Sequence, residues 1–297
     1  MKSSISFLFV IFILHLIVSV SAGSGYYGNK ENNNDEDQEA SNNPKLDDLP
    51  SILPEEYLPK LDDNGLSSSY YLKSCPEAEA IIFNIMEEWS TKDETVLPSI
   101  LRDATHLLKG PYWMVPYGRK DGKVSNAKEA DDLVPMGHES FTSLLELFQS
   151  LGLTVLDLVV LQGAHTVGRA TCGSIQERIY NYNGTGQADK CIDKQYLNYL
   201  TRKCRWASEY VDLDPITPNK FDAMYFKNIL DKNMGLLATD QALTSTISTS
   251  KLVSTFVNAP TLFDYQFGVS MNKLSKVLTG DEGEVRTNCN FVNSNHY

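Results

Sequence analysis

Apolar residues in most of the chain recur at three- and four-residue steps, which is the spacing of one face of an α-helix. This pattern predicts helices at 78–89, 141–151, 154–163 and 224–230. Thr154 and Asp157 stand where a capping box would place them, and a capping box is typical of a helix N-terminus. Proline and glycine interrupt the pattern in PYWMVPYGRKDG, for which we expect an extended or turn segment. The sequence therefore predicts a mainly α protein.

Acidic residues exceed basic ones, 38 to 26, and the net charge is −12. This balance argues against nucleic acid or an anionic membrane surface as a partner. Residues 23–65 alone carry 3 Lys against 11 Asp and Glu, so most of the charge lies there. This stretch has few large apolar groups, and we interpret it as an acidic disordered tail. Its NNNDEDQE run is either a loose calcium loop or solvated charge, and we favour solvated charge.

Residues 1–22 have the features of a secretory signal peptide: an early Lys2, an apolar run, and the small residues Val20-Ser21-Ala22 before a cleavage point. A membrane anchor is the alternative, but the run is short and no basic stop follows it. We therefore expect a secreted, extracellular protein with no membrane attachment after cleavage. Secretion makes disulfides and N-glycosylation at Asn183 in NGT expected.

A group of residues suited to metal chemistry follows the helix at 154–163. His165 lies in LQGAHTVGRATC, and a lone histidine in such a place is usually structural. The residues after it favour a different interpretation. A threonine follows directly, two cysteines come 7 and 39 residues later, and hard oxygen donors follow them in DPITPNKFD. These residues are Thr166, Cys172, Cys204, Asp214, Thr217 and Asp222.

In these motifs the sequence resembles the secretory haem peroxidases of plants, the class III peroxidases. The resemblance covers nearly all of residues 70–297 and implies a haem-peroxidase fold. Five motifs match in order: YYLKSCPEAEAII at 70–82, GPYWMVPYGRKDG at 110–122, LQGAHTVGRATC at 161–172, TDQAL at 239–243 and GEVRTNCNF at 283–291.

The resemblance implies a haem b site. The family's axial iron ligand is the histidine of GAHT, here His165, and imidazole is the expected ligand for peroxidase iron. Its other ring nitrogen needs an acceptor, which the family supplies from the aspartate of DQ, here Asp240. The substrates implied are hydrogen peroxide and small phenolic donors, bound by a protein that we expect to be a monomer. Where the family's substrate loop usually has proline, this chain has Val134.

The resemblance also implies a calcium site and a disulfide. Calcium would be held by Thr166, Asp214, Thr217 and Asp222 with a backbone carbonyl near Lys220, a set of hard oxygen ligands. Because Thr166 follows His165, the ion would stabilise the segment that presents the haem ligand. The implied disulfide joins Cys172 to Cys204 and would contribute roughly 3–4 kcal/mol in the chain-entropy model.

The distal half of the family's active site is missing from this sequence. The family cleaves peroxide with a distal histidine and arginine in a helix reading LR-L-H-F-H-D-C, and no such segment occurs here. VLPSILR runs directly into DATHLLKG, so we infer an internal deletion near 101–102. Arg102 is either the distal arginine or the arginine of the later RDA segment. His106 and His138 are the candidates to replace the distal histidine, but we expect both at the surface.

The cysteine count agrees with a deletion. The family pairs the cysteines corresponding to Cys75 and Cys289 with partners in the missing block, and Cys191 is an extra one. A disulfide between Cys75 and Cys289 is an alternative that the sequence does not decide. We therefore predict that residues 66–297 form a haem-peroxidase-like domain of mainly α fold, with the proximal domain largely present and the distal domain truncated. Three functions compete: a secreted peroxidase oxidising phenolic donors, a non-catalytic haem- or calcium-binding relic, and an unstable splice product.

Overall fold

Helices dominate the computed structural model, which describes residues 65–92, 110–111, 113–124, 126–128, 134–277, 283–288 and 290–293. The mainly α prediction is confirmed. Two short 3₁₀ turns lie at Gly163–Thr166 and Tyr182–Gly184. The helices of the described part are α1 (Ala78–Lys92), α2 (Phe141–Ser150), α3 (Val155–Gln162), α4 (Cys172–Tyr180), α5 (Lys194–Lys203), α6 (Met224–Asp231), α7 (Ala238–Ala242), α8 (Ile247–Asn258) and α9 (Pro260–Ser275).

All four helices predicted from apolar spacing are present, as α1, α2, α3 and α6. The capping box is also confirmed. The Thr154 hydroxyl accepts from the Asp157 N–H at 3.3 Å, and the Asp157 carboxylate accepts from the Thr154 N–H at 2.7 Å. These bonds satisfy two backbone donors that a helix N-terminus leaves open, and they fix where α3 begins.

The apolar face of α1 is exposed, contrary to the usual expectation that an amphipathic helix buries this face. Four residues that predicted the helix keep large exposed fractions: 47% for Ile81, 46% for Ile82, 43% for Ile85 and 52% for Trp89. The periodicity therefore predicted the helix correctly, but these side chains do not join the buried core.

The core that supports the rest of the fold is aromatic. It lies between α3, α6, α8 and α9, which pack against one another. Phe226, Phe256, Phe263 and Phe267 are all 2% exposed or less, and burial of each such side chain stabilises the fold by about 1.5–3 kcal/mol. Ring pairs in edge-to-face or tilted contact, such as Phe226 with Phe263 at 5.0 Å, fill the space between the helices.

A small antiparallel sheet lies beside this core. Strand β1 (Arg169–Thr171) pairs with β2 (Tyr210–Asp212), with Ala170 opposite Val211. These strands were not among the predicted elements, because three residues are too few to show a two-residue alternation. The sheet sets the path of the chain immediately after the 163–166 turn.

The PYWMVPYGRKDG region is non-helical in its described residues, as predicted. Tyr117 pairs with Ser67 through two 2.9 Å backbone hydrogen bonds, and Asp121 pairs with Glu284. The Arg119 guanidinium donates to the Val277 carbonyl at 3.0 Å, after the end of α9. This segment therefore joins the first and last described parts of the chain.

Several predictions fall outside the described residues. They concern the signal peptide at 1–22, the tail at 23–65 up to residue 64, and the junction at 101–102. Within the described part, no single helix is long and apolar enough to cross a membrane. The segments Phe141–Ser150 and Val155–Thr166 reach the required length and hydropathy together, but a bend of 110° separates them.

Candidate functional site

His165 lies in the 3₁₀ turn Gly163–Thr166 that continues α3. Its side chain is 12% exposed, so one edge of the imidazole remains accessible. The turn packs tightly against the aromatic core, since a Cβ atom on Gly163 would lie 2.5 Å from the Phe263 ring. Glycine is therefore required at 163 for the helix end that carries the histidine to approach the core this closely.

The imidazole of His165 is held by a buried carboxylate. His165 Nδ1 lies 2.7 Å from Asp240 Oδ1, and Asp240 is fully buried at the start of α7. A carboxylate that is ionised can only accept, so Nδ1 carries a proton and donates it to this bond; in the neutral imidazole the lone pair is then on Nε2. Nε2 has no hydrogen-bond partner among the described residues. The histidine is therefore oriented as a metal ligand through Nε2.

Asp240 is ionised despite its burial. Burial raises the pKa of this carboxyl, but the interaction with His165 and the hydrogen bonds that it accepts outweigh this effect, and the pKa is lowered. Two further donors contribute: the Leu237 N–H reaches Oδ2 at 2.8 Å, and the Tyr225 hydroxyl reaches Oδ1 at 3.0 Å. The site thus has a fixed negative charge directly behind the imidazole.

Oxygen atoms converge next to His165. Thr166 Oγ1 lies 3.5 Å from both the Lys220 carbonyl oxygen and Asp222 Oδ1. Thr217 Oγ1 lies 3.1 Å from Asp222 Oδ1 and 3.4 Å from Asp214 Oδ2. The structure therefore brings together all of the residues proposed for calcium from the sequence. Hydroxyl, carbonyl and carboxylate oxygens are the donor set that calcium prefers, so these residues fit the ion.

The charge in this oxygen cluster is incompletely balanced. Burial raises the pKa of Asp214, the nearby Asp222 charge raises it further, and the Ile216 and Thr217 N–H groups partly oppose this. A half-exposed cation, Lys220 Nζ, lies 3.4 Å from the other Asp222 oxygen. Within the described chain, no group of three or more His, Cys, Asp or Glu side chains is placed to hold a metal ion. To hold a metal ion, the cluster therefore needs its hydroxyl and carbonyl oxygens as well as its two carboxylates.

Of the remaining candidate residues, the structure describes Val134 and His138. Val134 is half-buried and His138 is exposed, in a segment whose Gly137 carbonyl accepts from the Thr239 N–H at 3.3 Å. This bond places the segment beside Asp240. Arg102 and His106 lie outside the described residues.

The Cys172–Cys204 disulfide is present, with a Cα–Cα distance of 5.2 Å. It joins the start of α4 to the residue after α5. Cys75 is a half-buried free thiol and Cys191 an exposed one, whereas Cys289 lies outside the described residues. Asn183 is exposed in the turn Tyr182–Gly184, a position accessible to a glycan.

Sequence reasoning missed two residues that support the site. Tyr225 was passed over inside the apolar run of α6. Arg178 is 4% exposed on α4; its Nη1 donates to the Leu237 carbonyl at 2.6 Å, and its Nε donates to Asp189 at 3.0 Å. The available signal was an arginine on the apolar side of the helix. Arg178 lies three residues after Ile175, and Ile179 lies four residues after Ile175.

Comparison with known proteins gives consistent relatives. A family model described as Peroxidase matches residues 96–259. Peroxidase 7 of Arabidopsis thaliana is 41% identical over 304 residues, which covers 79% of this chain and 86% of that protein. Lignin-forming anionic peroxidase of Nicotiana tabacum is 37% identical, covering 71% of this chain and 70% of its own length. Peroxidase 28 of Arabidopsis thaliana is also 37% identical, with the same two coverages.

Proposed function

Since the chain belongs to the plant secretory peroxidase family, we propose that it binds haem b with His165 Nε2 as the axial ligand of the iron. One observation carries the proposal: the 2.7 Å contact between His165 Nδ1 and the buried Asp240 carboxylate. Histidines that ligate metals usually donate their second ring N–H to such a carboxylate. The contact fixes both the tautomer and the orientation that an axial ligand requires.

Bound haem would supply the redox chemistry of the family, in which hydrogen peroxide is the oxidant and small phenolic compounds are the donors. The chain's own residues hold the ligand in place. Asp240 accepts a hydrogen bond from His165 Nδ1–H and so increases the electron donation available at Nε2. Gly163 lets the turn pack closely against Phe263, and this packing restricts the movement of the imidazole.

We propose calcium as a second bound group, held by the oxygen cluster of Thr166, Asp214, Thr217, Asp222 and the Lys220 carbonyl. The support is the convergence of these oxygens, which include those of two carboxylates. Burial, and to a lesser extent the Asp222 charge, raises the pKa of Asp214. A divalent cation would balance the charge of the two carboxylates. Because Thr166 follows His165, the ion would also hold the turn that presents the axial ligand.

We further propose an internal deletion that removes the family's distal base and cation. Two observations support it besides the missing motif. The alignment with Peroxidase 7 extends over 304 residues, more than the 297 of this chain, yet it uses only 79% of the chain. A sizeable part of that relative thus has no counterpart here. The apolar residues of α1, such as Ile81 and Trp89, are exposed, as expected for a helix that has lost its neighbour.

The deletion determines the expected activity. General acid–base catalysis contributes about 10²–10⁴ in rate, and electrostatic stabilisation of the departing oxygen about 10²–10³. We therefore propose that the family reaction proceeds at least about four orders of magnitude more slowly here. The second candidate function is a non-catalytic secreted protein that binds haem and calcium, and the absence of the distal block favours it. In either case we propose a monomer, secreted to the cell wall or vacuole and glycosylated at Asn183.

The haem proposal is tested by adding hemin to the purified full chain and recording the Soret absorbance. We expect stoichiometric uptake that His165→Ala abolishes. His138→Ala is the matched control, since His138 is exposed, and uptake should be unchanged. An unchanged haem spectrum in His165→Ala would refute the axial-ligand assignment. Aggregation of the wild-type chain without haem uptake would instead support the unstable splice product.

Calcium and turnover need separate measurements. A calcium chelator should lower the thermal midpoint of the wild-type chain, and Asp222→Ala should remove most of that shift. Phenol oxidation by the haem-loaded chain should be far slower than that of an intact family member, and a comparable rate would refute the loss of the distal groups. Sequencing the transcript across Leu101–Arg102 tests the deletion itself.

A further inference from the structure

One oxygen of Asp240 accepts two hydrogen bonds. Oδ1 lies 2.7 Å from His165 Nδ1 and 3.0 Å from the Tyr225 hydroxyl. The other oxygen, Oδ2, accepts from the Leu237 N–H at 2.8 Å. Every donor to this carboxylate draws on the same negative charge, so donors on one oxygen weaken each other's bond.

We propose that Tyr225 is a positioning residue that limits how strongly Asp240 pulls on the His165 imidazole, because its hydroxyl occupies the same oxygen. Its hydroxyl donates to Asp240 rather than to His165, so it acts through Asp240. The proposal deepens the haem-ligand assignment, on which its redox consequence rests. The competition at Oδ1 is present in the protein without haem.

The carboxylate is held so that it cannot rotate away from this arrangement. The Leu237 N–H fixes Oδ2, and the Leu237 carbonyl accepts from the Arg178 guanidinium at 2.6 Å. Arg178 also donates to the Gly235 carbonyl at 2.5 Å and pairs with the buried Asp189. Because the backbone on the Oδ2 side is fixed in this way, His165 and Tyr225 remain on one oxygen.

Tyr225 is equally constrained. It is 2% exposed at the start of α6, and its ring contacts the His165 ring edge-to-face at 6.1 Å between centroids. Burial, followed by the Asp240 charge, raises the pKa of this phenol well above its usual value, so it remains an O–H donor. The Met224 N–H donates to Asp222 at 2.8 Å, which ties the start of α6 to the oxygen cluster.

Removing this hydroxyl has a predictable direction. Without the competing donor, Asp240 binds the Nδ1 proton more strongly, and the imidazole gains anionic character. A more electron-rich axial ligand stabilises ferric over ferrous iron. In Tyr225→Phe the ferric-to-ferrous ratio at a fixed potential should rise by up to about tenfold. This corresponds to a fall of about 59 mV in the midpoint potential of a one-electron couple.

Tyr196→Phe is the matched control. Tyr196 is 4% exposed in the described core, and its buried hydroxyl has no hydrogen-bond partner there. The same atom is removed from a similarly buried ring, without the loss of a donor to Asp240. A general effect of deleting a buried hydroxyl would appear in both variants, whereas the proposed effect appears only in Tyr225→Phe.

The test uses the full chain and two readouts. Without haem, the downfield proton NMR resonance of His165 Nδ1–H should move further downfield in Tyr225→Phe and stay in place in Tyr196→Phe. With haem, the midpoint potential should fall in Tyr225→Phe alone. Failure of the wild-type chain to take up haem would overturn the haem assignment, while the NMR shift would still decide the role of Tyr225.

Three outcomes would overturn the inference: no shift of the Nδ1 proton in Tyr225→Phe, an upfield shift, or an equal shift in Tyr196→Phe. If Tyr225→Phe does not fold, wild-type chain labelled with 3-fluorotyrosine provides the opposite perturbation. Its more acidic hydroxyl donates more strongly, so the Nδ1 proton should move upfield. A downfield or absent shift there would refute the proposal equally.

Discussion

Asp157 connects the helix that carries the candidate haem ligand to α9, and its removal should be costly. Its carboxylate accepts from the Thr154 N–H and hydroxyl, both at 2.7 Å, at the start of α3. It also accepts from the Ser270 hydroxyl at 2.9 Å and the Lys273 ammonium at 2.6 Å, both on α9. The perturbation is Asp157→Ala, which removes all four bonds.

The cost follows from what each donor loses. Ser270 is fully buried, and an unsatisfied buried hydroxyl costs about 1–3 kcal/mol. Loss of half of the capping box adds about 1 kcal/mol. The Lys273 side chain is 41% exposed, so its ammonium returns to water and contributes about 1 kcal/mol or less. Asp157→Ala should therefore lower the free energy of unfolding by about 2–5 kcal/mol, and Lys273→Met by about 1 kcal/mol or less.

The assay is urea unfolding followed by circular dichroism for both variants and the double variant. The coupling between Asp157 and Lys273 should stay below about 1 kcal/mol, because solvent screens the exposed end of the pair. The reasoning would be refuted if Lys273→Met destabilised the chain as much as Asp157→Ala. The ion pair would then outweigh the buried hydroxyl and the cap.

The same carboxylate predicts a pH dependence. Burial raises the pKa of Asp157, but Lys273, Thr154 and Ser270 outweigh it, so the pKa lies below the ordinary value of 3.8. A lowered folded-state pKa contributes stability that is present above the unfolded value and lost as the pH falls through the folded one. The stability difference between wild type and Asp157→Asn should be constant from about pH 5 to 7 and shrink below about pH 4.

Two further stability predictions follow from the site. Gly163→Ala should cost about 1–3 kcal/mol or more and reduce haem uptake, because the new Cβ would lie 2.5 Å from an aromatic ring; Gly122→Ala, with no atom nearer than 3.7 Å, should change the unfolding midpoint little. Replacing Cys172 and Cys204 together by alanine should cost about 3–4 kcal/mol in urea unfolding. Replacing the exposed Cys191 should change stability by about 0.5 kcal/mol at most, and a loss equal to that of the disulfide variant would contradict the assignment.

Local patterns in the sequence predicted the helices and the chemistry. Three- and four-residue spacing predicted α2, α3 and α6, and the Thr154–Asp157 pair predicted where α3 begins, because these interactions join residues within one or two turns. The motifs around His165 and Asp240 indicated a candidate ligand and its partner through resemblance alone. Periodicity could not reveal that pair, whose members lie 75 positions apart.

Tertiary structure decided what depends on long-range packing. A helical stripe in α1 looks the same in sequence whether or not it is covered, so the exposure of Trp89 was visible only in the fold. Tyr225 resembled any other core aromatic until folding placed its hydroxyl on Asp240, and Arg178 acquired its role through backbone carbonyls that carry no sequence signal. Amino-acid order determined which segments form helices and which side chains are available for chemistry. Packing determined which of those side chains share one buried oxygen, because that depends on distances between segments far apart along the chain.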